Sequence, residues 1–105
     1  MKKQITEEVE QKINDLTMTV QQTGTVLLQF SADWCGICRA MESTIVEFQK
    51  KSSAVYQNVN VDTEANLAKQ YGVWSIPCFV VLKDGIQVAR QVGTQSVAQL
   101  LELVK

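Results

Sequence analysis

Ala32-Asp33-Trp34-Cys35-Gly36-Ile37-Cys38-Arg39 joins two segments of opposite character. Before it runs Val26-Leu27-Leu28-Gln29-Phe30, a short apolar stretch that reads as a buried strand. After it come Met41, Ile45 and Phe48 at helical spacing, so Cys35 to about Lys51 reads as a helix. The first cysteine is thereby placed at a helix N-terminus, where backbone N–H groups and the helix dipole favour a thiolate. Two intervening residues let the sulfurs reach bonding distance without breaking the helix. Cys35 is expected to stay accessible at the loop and Cys38 to be shielded one turn in. This is the arrangement of a dithiol that exchanges with disulfides: Cys35 attacks, and Cys38 resolves the mixed disulfide.

The surrounding segments extend the pattern. Ile5, Val9, Ile13, Leu16 and Val20 recur at helical spacing, which predicts a helix over about residues 6–21 with Gly24 ending the segment. Val55 to Val61 is β-branched and reads as a strand, and Glu64 to Tyr71 as a short helix stopped by Gly72. Cys78 to Leu82 is a strand, Lys83-Asp84-Gly85 a hairpin turn, and Ile86 to Val92 its antiparallel return. Val97, Leu100, Leu101 and Val104 mark a final helix that starts near Gln95 or Ser96. Strands separated by helices imply parallel crossovers, and the hairpin adds antiparallel pairing. The fold class is α/β, a central mixed β-sheet flanked by helices on both faces, in a single domain over residues 1–105.

Composition narrows the function. The formal net charge of -1 lacks the basic excess of a nucleic-acid-binding surface. There is no apolar window long enough for a membrane span, and Glu7, Glu8 and Glu10 stand where the apolar core of a signal peptide would be. An odd count of 3 cysteines is a poor disulfide framework and fits a reducing compartment, so a cytoplasmic location is expected. With no His in the chain, a thiolate zinc site would need a carboxylate such as Asp33 or a second chain. No metal and no tightly bound cofactor are expected.

Taken together these motifs resemble the thioredoxin family. The resemblance rests on Phe30, Ala32, Trp34-Cys35-Gly36, Cys38 and Arg39, on Val59-Asn60-Val61-Asp62, on Tyr71-Gly72-Val73 and Ser75-Ile76-Pro77, and on Lys83-Asp84-Gly85 and Gly93. It covers about residues 26–105. It implies a thioredoxin fold and reduction of protein disulfides through Cys35 and Cys38. Electrons would come from a flavoprotein reductase, and the protein would be a monomer. It further implies that Pro77 is cis and that Ile76-Pro77 faces the cysteines and offers backbone groups to an extended substrate; an ordinary trans proline at a strand start is the plainer reading. Trp34 and Trp74 would form an apolar docking surface, the plainer reading of each being a half-buried core aromatic. Gly36 and Gly93 would keep the site free of side-chain bulk, or simply serve turns.

The chain departs from the family at four positions. Ile37 replaces the proline of the usual WCGPC, which bears on redox poise and goes, in the wider family, with less reducing proteins. Gln29 stands in place of a buried aspartate beneath the second cysteine, and Asn58 in place of its lysine partner. A buried charge without its partner is costly, so the joint loss is coherent. It leaves Cys38 with less base assistance, and resolution slower or dependent on water. Cys78 replaces a threonine after Pro77, either as an inert core residue or as a third redox sulfur or ligand. Asp33 and Arg39 flank the cysteines as modulators or as plain surface charges. Two alternatives to a reductase stay open: a thioredoxin-fold adaptor with little turnover, and a metal or cluster binder using Cys35, Cys38 and Cys78.

Overall fold

The computed structural model describes residues 23–105. The helix expected over about residues 6–21 lies outside the described residues. The apolar run after Gly24 forms β1 (Thr25–Ser31), buried on both faces from Val26 onward. Such a strand must be central, because only flanking strands and covering layers on both sides leave it without solvent. Among the described residues, the sheet has the order β2-β1-β3-β4, with β2 at Val55–Asn60, β3 at Cys78–Lys83 and β4 at Ile86–Val92. β1 pairs parallel with β2 and antiparallel with β3, and β3 pairs antiparallel with β4.

Alternation along the strands splits the core in two. Val26, Leu28 and Phe30 share one face with Val59, Cys78, Val80 and Leu82, closed by Ala68 of α3 (Ala65–Gln70). Leu27, Phe79 and Val81 face the other way, against Met41, against Ile45 and Phe48 of α2 (Glu42–Lys51), and against Leu100 of α4 (Val97–Leu103). The sheet is thus mixed, with helices on both faces. Each large apolar side chain buried here contributes about 1.5–3 kcal/mol.

Local signals explain the connections. Asp84 (φ 53°) and Gly85 (φ 84°) are both left-handed, as a two-residue hairpin turn requires. Asp84 also ties the hairpin to the start of β1: its carboxylate accepts from the Gly24 N–H at 2.7 Å, and its own N–H donates to the Gly24 carbonyl at 2.9 Å. α4 opens with a reciprocal cap, the Ser96 hydroxyl accepting from the Gln99 N–H at 3.1 Å and the Gln99 side chain accepting from the Ser96 N–H at 2.8 Å.

The single helix expected from Cys35 to Lys51 is instead two. α1 spans Gly36–Arg39 with Cys35 as its N-cap, and α2 begins at Glu42. Between them the Met41 N–H bonds three residues back, to the Cys38 carbonyl at 3.1 Å, which tightens the winding. Ala40 (φ -67°, ψ -13°) and Met41 (φ -82°, ψ -4°) keep right-handed torsions through this tightened turn.

Candidate active site

The cysteine loop hangs from the end of β1. The Cys35 N–H donates to the Ala32 carbonyl at 3.1 Å, closing a turn that delivers Cys35 to the N-cap of α1. The Cys35 sulfur then accepts from the Cys38 N–H at 3.2 Å. This is the bond by which an N-cap satisfies an otherwise unpaired first-turn donor. Cys35 and Cys38 are joined as a disulfide, with Cα atoms 5.3 Å apart.

One expectation needs correcting. Cys35 is buried almost as fully as its partner: it is 8% exposed and Cys38 6%. Ala32 packs with both sulfurs, and Val61 and Ile76 lean on them from distant parts of the chain. Access comes from the residues between and beside the cysteines. Ile37 and Trp34 are exposed, and a Cβ placed on Gly36 would meet nothing within 4 Å. Trp34 is fixed by its indole N–H, which donates to the Asp62 carboxylate at 2.9 Å. Asp62 is itself held by a turn in which Asn60 accepts from the Asp62 and Thr63 N–H groups. Trp74, two residues before Ile76, is 93% exposed, which rules out the half-buried core reading.

The Ile76–Pro77 peptide is cis, so the plainer trans reading of Pro77 is overturned. The Pro77 carbonyl accepts from the Gly93 N–H at 2.8 Å, which brings Gly93 beside this segment. Gly93 has φ +98° with open space at its Cβ position, so its conformation, rather than crowding, requires glycine.

Beneath Cys38 the polar residues are arranged in a way the sequence did not reveal. Gln29 and Asn58 are register partners across β1 and β2, yet each takes a diagonal neighbour. The Tyr56 hydroxyl donates to the Gln29 side-chain oxygen at 2.5 Å, and the Ser31 hydroxyl donates to that of Asn58 at 2.6 Å. Burial pushes the Tyr56 hydroxyl up from 10.0 to about 12, so it remains a donor at any ordinary pH. These four neutral side chains border a cavity of about 720 Å³ that also reaches Cys38, Asp33, Arg39 and Glu42. Tyr56, Ser31 and Glu42 were not singled out from the sequence, and Asp62 only as the end of the Val59-Asn60-Val61-Asp62 motif. Strand parity could have found the first two, since Tyr56 and Asn58 share a face, as do Gln29 and Ser31.

Asp33 is exposed and accepts from the Asn60 side chain at 3.4 Å, a weak contact, and Arg39 lies exposed in the last turn of α1. Cys78 is free and 1% exposed. Its thiol is pushed up by burial, with the Arg90 charge pulling weakly the other way. It is opposite Phe30 in the ladder, whereas Gln29 is opposite Phe79, so Cys78 and Gln29 point to opposite faces of the sheet. Among the described residues, no three Cys, Asp or Glu side chains gather as metal ligands. No helix among them is long and apolar enough to cross a membrane.

Comparison with known proteins agrees with this architecture. Residues 5–105 match the thioredoxin family model. A thioredoxin of Chlamydia caviae is 39% identical over 83 residues, which cover 78% of this chain and 81% of that protein. A Bacillus subtilis thioredoxin is 39% identical over 83 residues, covering 77% and 80%. Among solved structures, an N21Q mutant thioredoxin from Halobacterium salinarum superposes with a TM-score of 0.81 at 33% identity, over 87% of this chain and 80% of that one. The oxidised thioredoxin of Plasmodium falciparum gives 0.77 at 26% identity, over 87% and 88%.

Proposed function

The chain belongs to the thioredoxin family and is a thiol–disulfide oxidoreductase, and we propose that Cys35 is its nucleophile and Cys38 its resolving thiol. The observation that carries this assignment is the Cys38 N–H directed at the Cys35 sulfur, with Cys35 at the helix N-cap. In the reduced protein that donor and the helix N-terminus favour a Cys35 thiolate, and they do nothing comparable for Cys38. The thiolate attacks one sulfur of a substrate disulfide and expels the other as a thiolate. Cys38 then displaces the bound sulfur from Cys35, closing the intramolecular disulfide and releasing a reduced substrate.

Proteins of this family act on protein disulfides and are reduced by reductases. For this chain we propose protein substrates with accessible disulfides, docked on Trp34, Ile37 and Trp74, with an extended segment lying along Ile76-Pro77 and passing Gly36 and Gly93. The exposure of the three large side chains supports such a surface. A flavoprotein reductase as electron donor, a monomeric state, a single domain over residues 1–105 and a cytoplasmic location complete the proposal. Insulin reduction under a small-thiol or reductase supply tests it. Turnover that vanishes in Cys35→Ser is expected; turnover that survives it would overturn the assignment.

A further inference from the structure

Resolution requires a proton to leave Cys38, and the strand beneath it offers no base. Gln29 and Asn58 are amides, Ser31 is a hydroxyl, and Tyr56 is held protonated by burial. The cavity that touches Cys38 nevertheless has a carboxylate on its wall. Glu42 opens α2 four residues after Cys38, across the tightened turn at Ala40 and Met41. Glu42 and Cys38 line the same cavity of about 720 Å³. Water fits a polar cavity of this size, since each molecule needs roughly 30 Å³ and two to four polar partners. Gln29, Ser31, Tyr56 and Asn58 provide such partners.

We propose that Glu42 accepts the Cys38 proton through water in this cavity during resolution, so that the acceptor comes from the helix and not from the strand. This deepens the Cys35/Cys38 reading and rests on it. In the step, the Cys38–Cys35 S–S bond forms and the Cys35–substrate S–S bond breaks. Cys38 is oxidised, Cys35 stays at the disulfide level, and the substrate sulfur is reduced to a thiolate. The proton passes from Cys38 to the Glu42 carboxylate and then to solvent or to the departing thiolate.

The charged and titratable groups that line the cavity together with Cys38 are Asp33 from the turn after β1, Arg39 from α1, Glu42 from α2 and Tyr56 from β2, with Cys35 bonded to Cys38 alongside. Asp33 is the rival carboxylate. It precedes the cysteines on the loop, and the Asn60 side chain already donates to it. Among the described residues no hydrogen bond or ion pair engages the Glu42 carboxylate.

The test is single-turnover reduction of a fluorescent peptide disulfide by reduced Glu42→Gln, Asp33→Asn and wild-type protein across pH. Samples are acid-quenched, and the mixed disulfide is counted by mass. Glu42 is exposed, so glutamine there leaves the fold intact. Expected is unchanged formation of the mixed disulfide and resolution slowed about tenfold or more near pH 7 in Glu42→Gln, the low end of what a proton acceptor supplies. The gap narrows as pH rises and hydroxide takes the Cys38 proton without Glu42. Gln29→Asp added to Glu42→Gln restores the rate near pH 7. A faster Glu42→Gln would mean that its charge merely opposes the Cys38 thiolate, and a slowing independent of pH would mean a structural role; either overturns the proposal. So does the same profile in Asp33→Asn alone. Absence of any Cys35 adduct in Cys38→Ser, where resolution is blocked, would instead overturn the underlying assignment.

Discussion

Removing the Tyr56 hydroxyl tests whether the neutral network beneath the cysteines is a real stabilising unit. The hydroxyl donates at 2.5 Å to the side-chain oxygen of Gln29, which is 3% exposed. Tyr56→Phe leaves that oxygen without its donor, and a buried polar atom stripped of its partner costs about 1–3 kcal/mol. The adjoining cavity lets water replace part of the lost bond, which draws the expected cost toward about 1 kcal/mol. In a domain of this size, that is roughly 4–8 °C in Tm. Gln29→Met removes the acceptor in turn, at similar cost. When both partners are replaced by apolar groups nothing is left unsatisfied, so Tyr56→Phe/Gln29→Met is more stable than the sum of the single losses implies, by about 1 kcal/mol of coupling. Urea denaturation of the four oxidised proteins at neutral pH measures the cycle. Additive single effects, or a Tyr56→Phe protein as stable as wild type, would refute the reasoning.

Further outcomes follow from the same features. Because Tyr56 has its pKa raised from 10.0 to about 12 by burial, its contribution is intact below pH 10. Above pH 10 the unfolded chain ionises first, so stability falls by roughly 2–3 kcal/mol by about pH 12, and Tyr56→Phe lacks that component in pH-resolved denaturation. Gly93→Ala is destabilised by about 1–2 kcal/mol from the left-handed backbone alone, since its new methyl meets open space; equal urea midpoints would contradict this. Ile37 occupies the first turn of α1, where a missing N–H goes unnoticed. Ile37→Pro therefore keeps its stability within about 0.5 kcal/mol while the reduction potential of the Cys35/Cys38 couple changes; a potential identical to wild type would show that residue 37 does not set it.

How much the sequence could reveal depended on whether a feature is local. Asp84-Gly85 names its own turn, the Ser96/Gln99 cap sits within four residues, and the run from Val26 to Phe30, apolar but for Gln29, describes a strand buried on both faces. Each was readable because the atoms that decide it are neighbours in the chain. The site was less so. The near-equal burial of Cys35 and Cys38 is set by Val61 and Ile76, which are far away in sequence. The diagonal bonds of Tyr56 to Gln29 and of Ser31 to Asn58 follow from the β1/β2 register, which no single segment encodes. Cys78 is intermediate: its face could be deduced from strand parity once Phe30 and Cys78 were known to pair. The tightening at Ala40-Met41, which divides the expected helix and sets where Glu42 falls relative to Cys38, has no distinguishing residue type.

The central claim is that the two cysteines have different tasks, and trapping measures this directly. Reduced Cys38→Ser and Cys35→Ser proteins are each mixed with a protein disulfide substrate, quenched with acid and mapped by mass spectrometry. The account predicts one persistent adduct on Cys35 in Cys38→Ser and none of comparable rate in Cys35→Ser. An adduct forming as fast on Cys38, or on Cys78, once Cys35 is removed would contradict it.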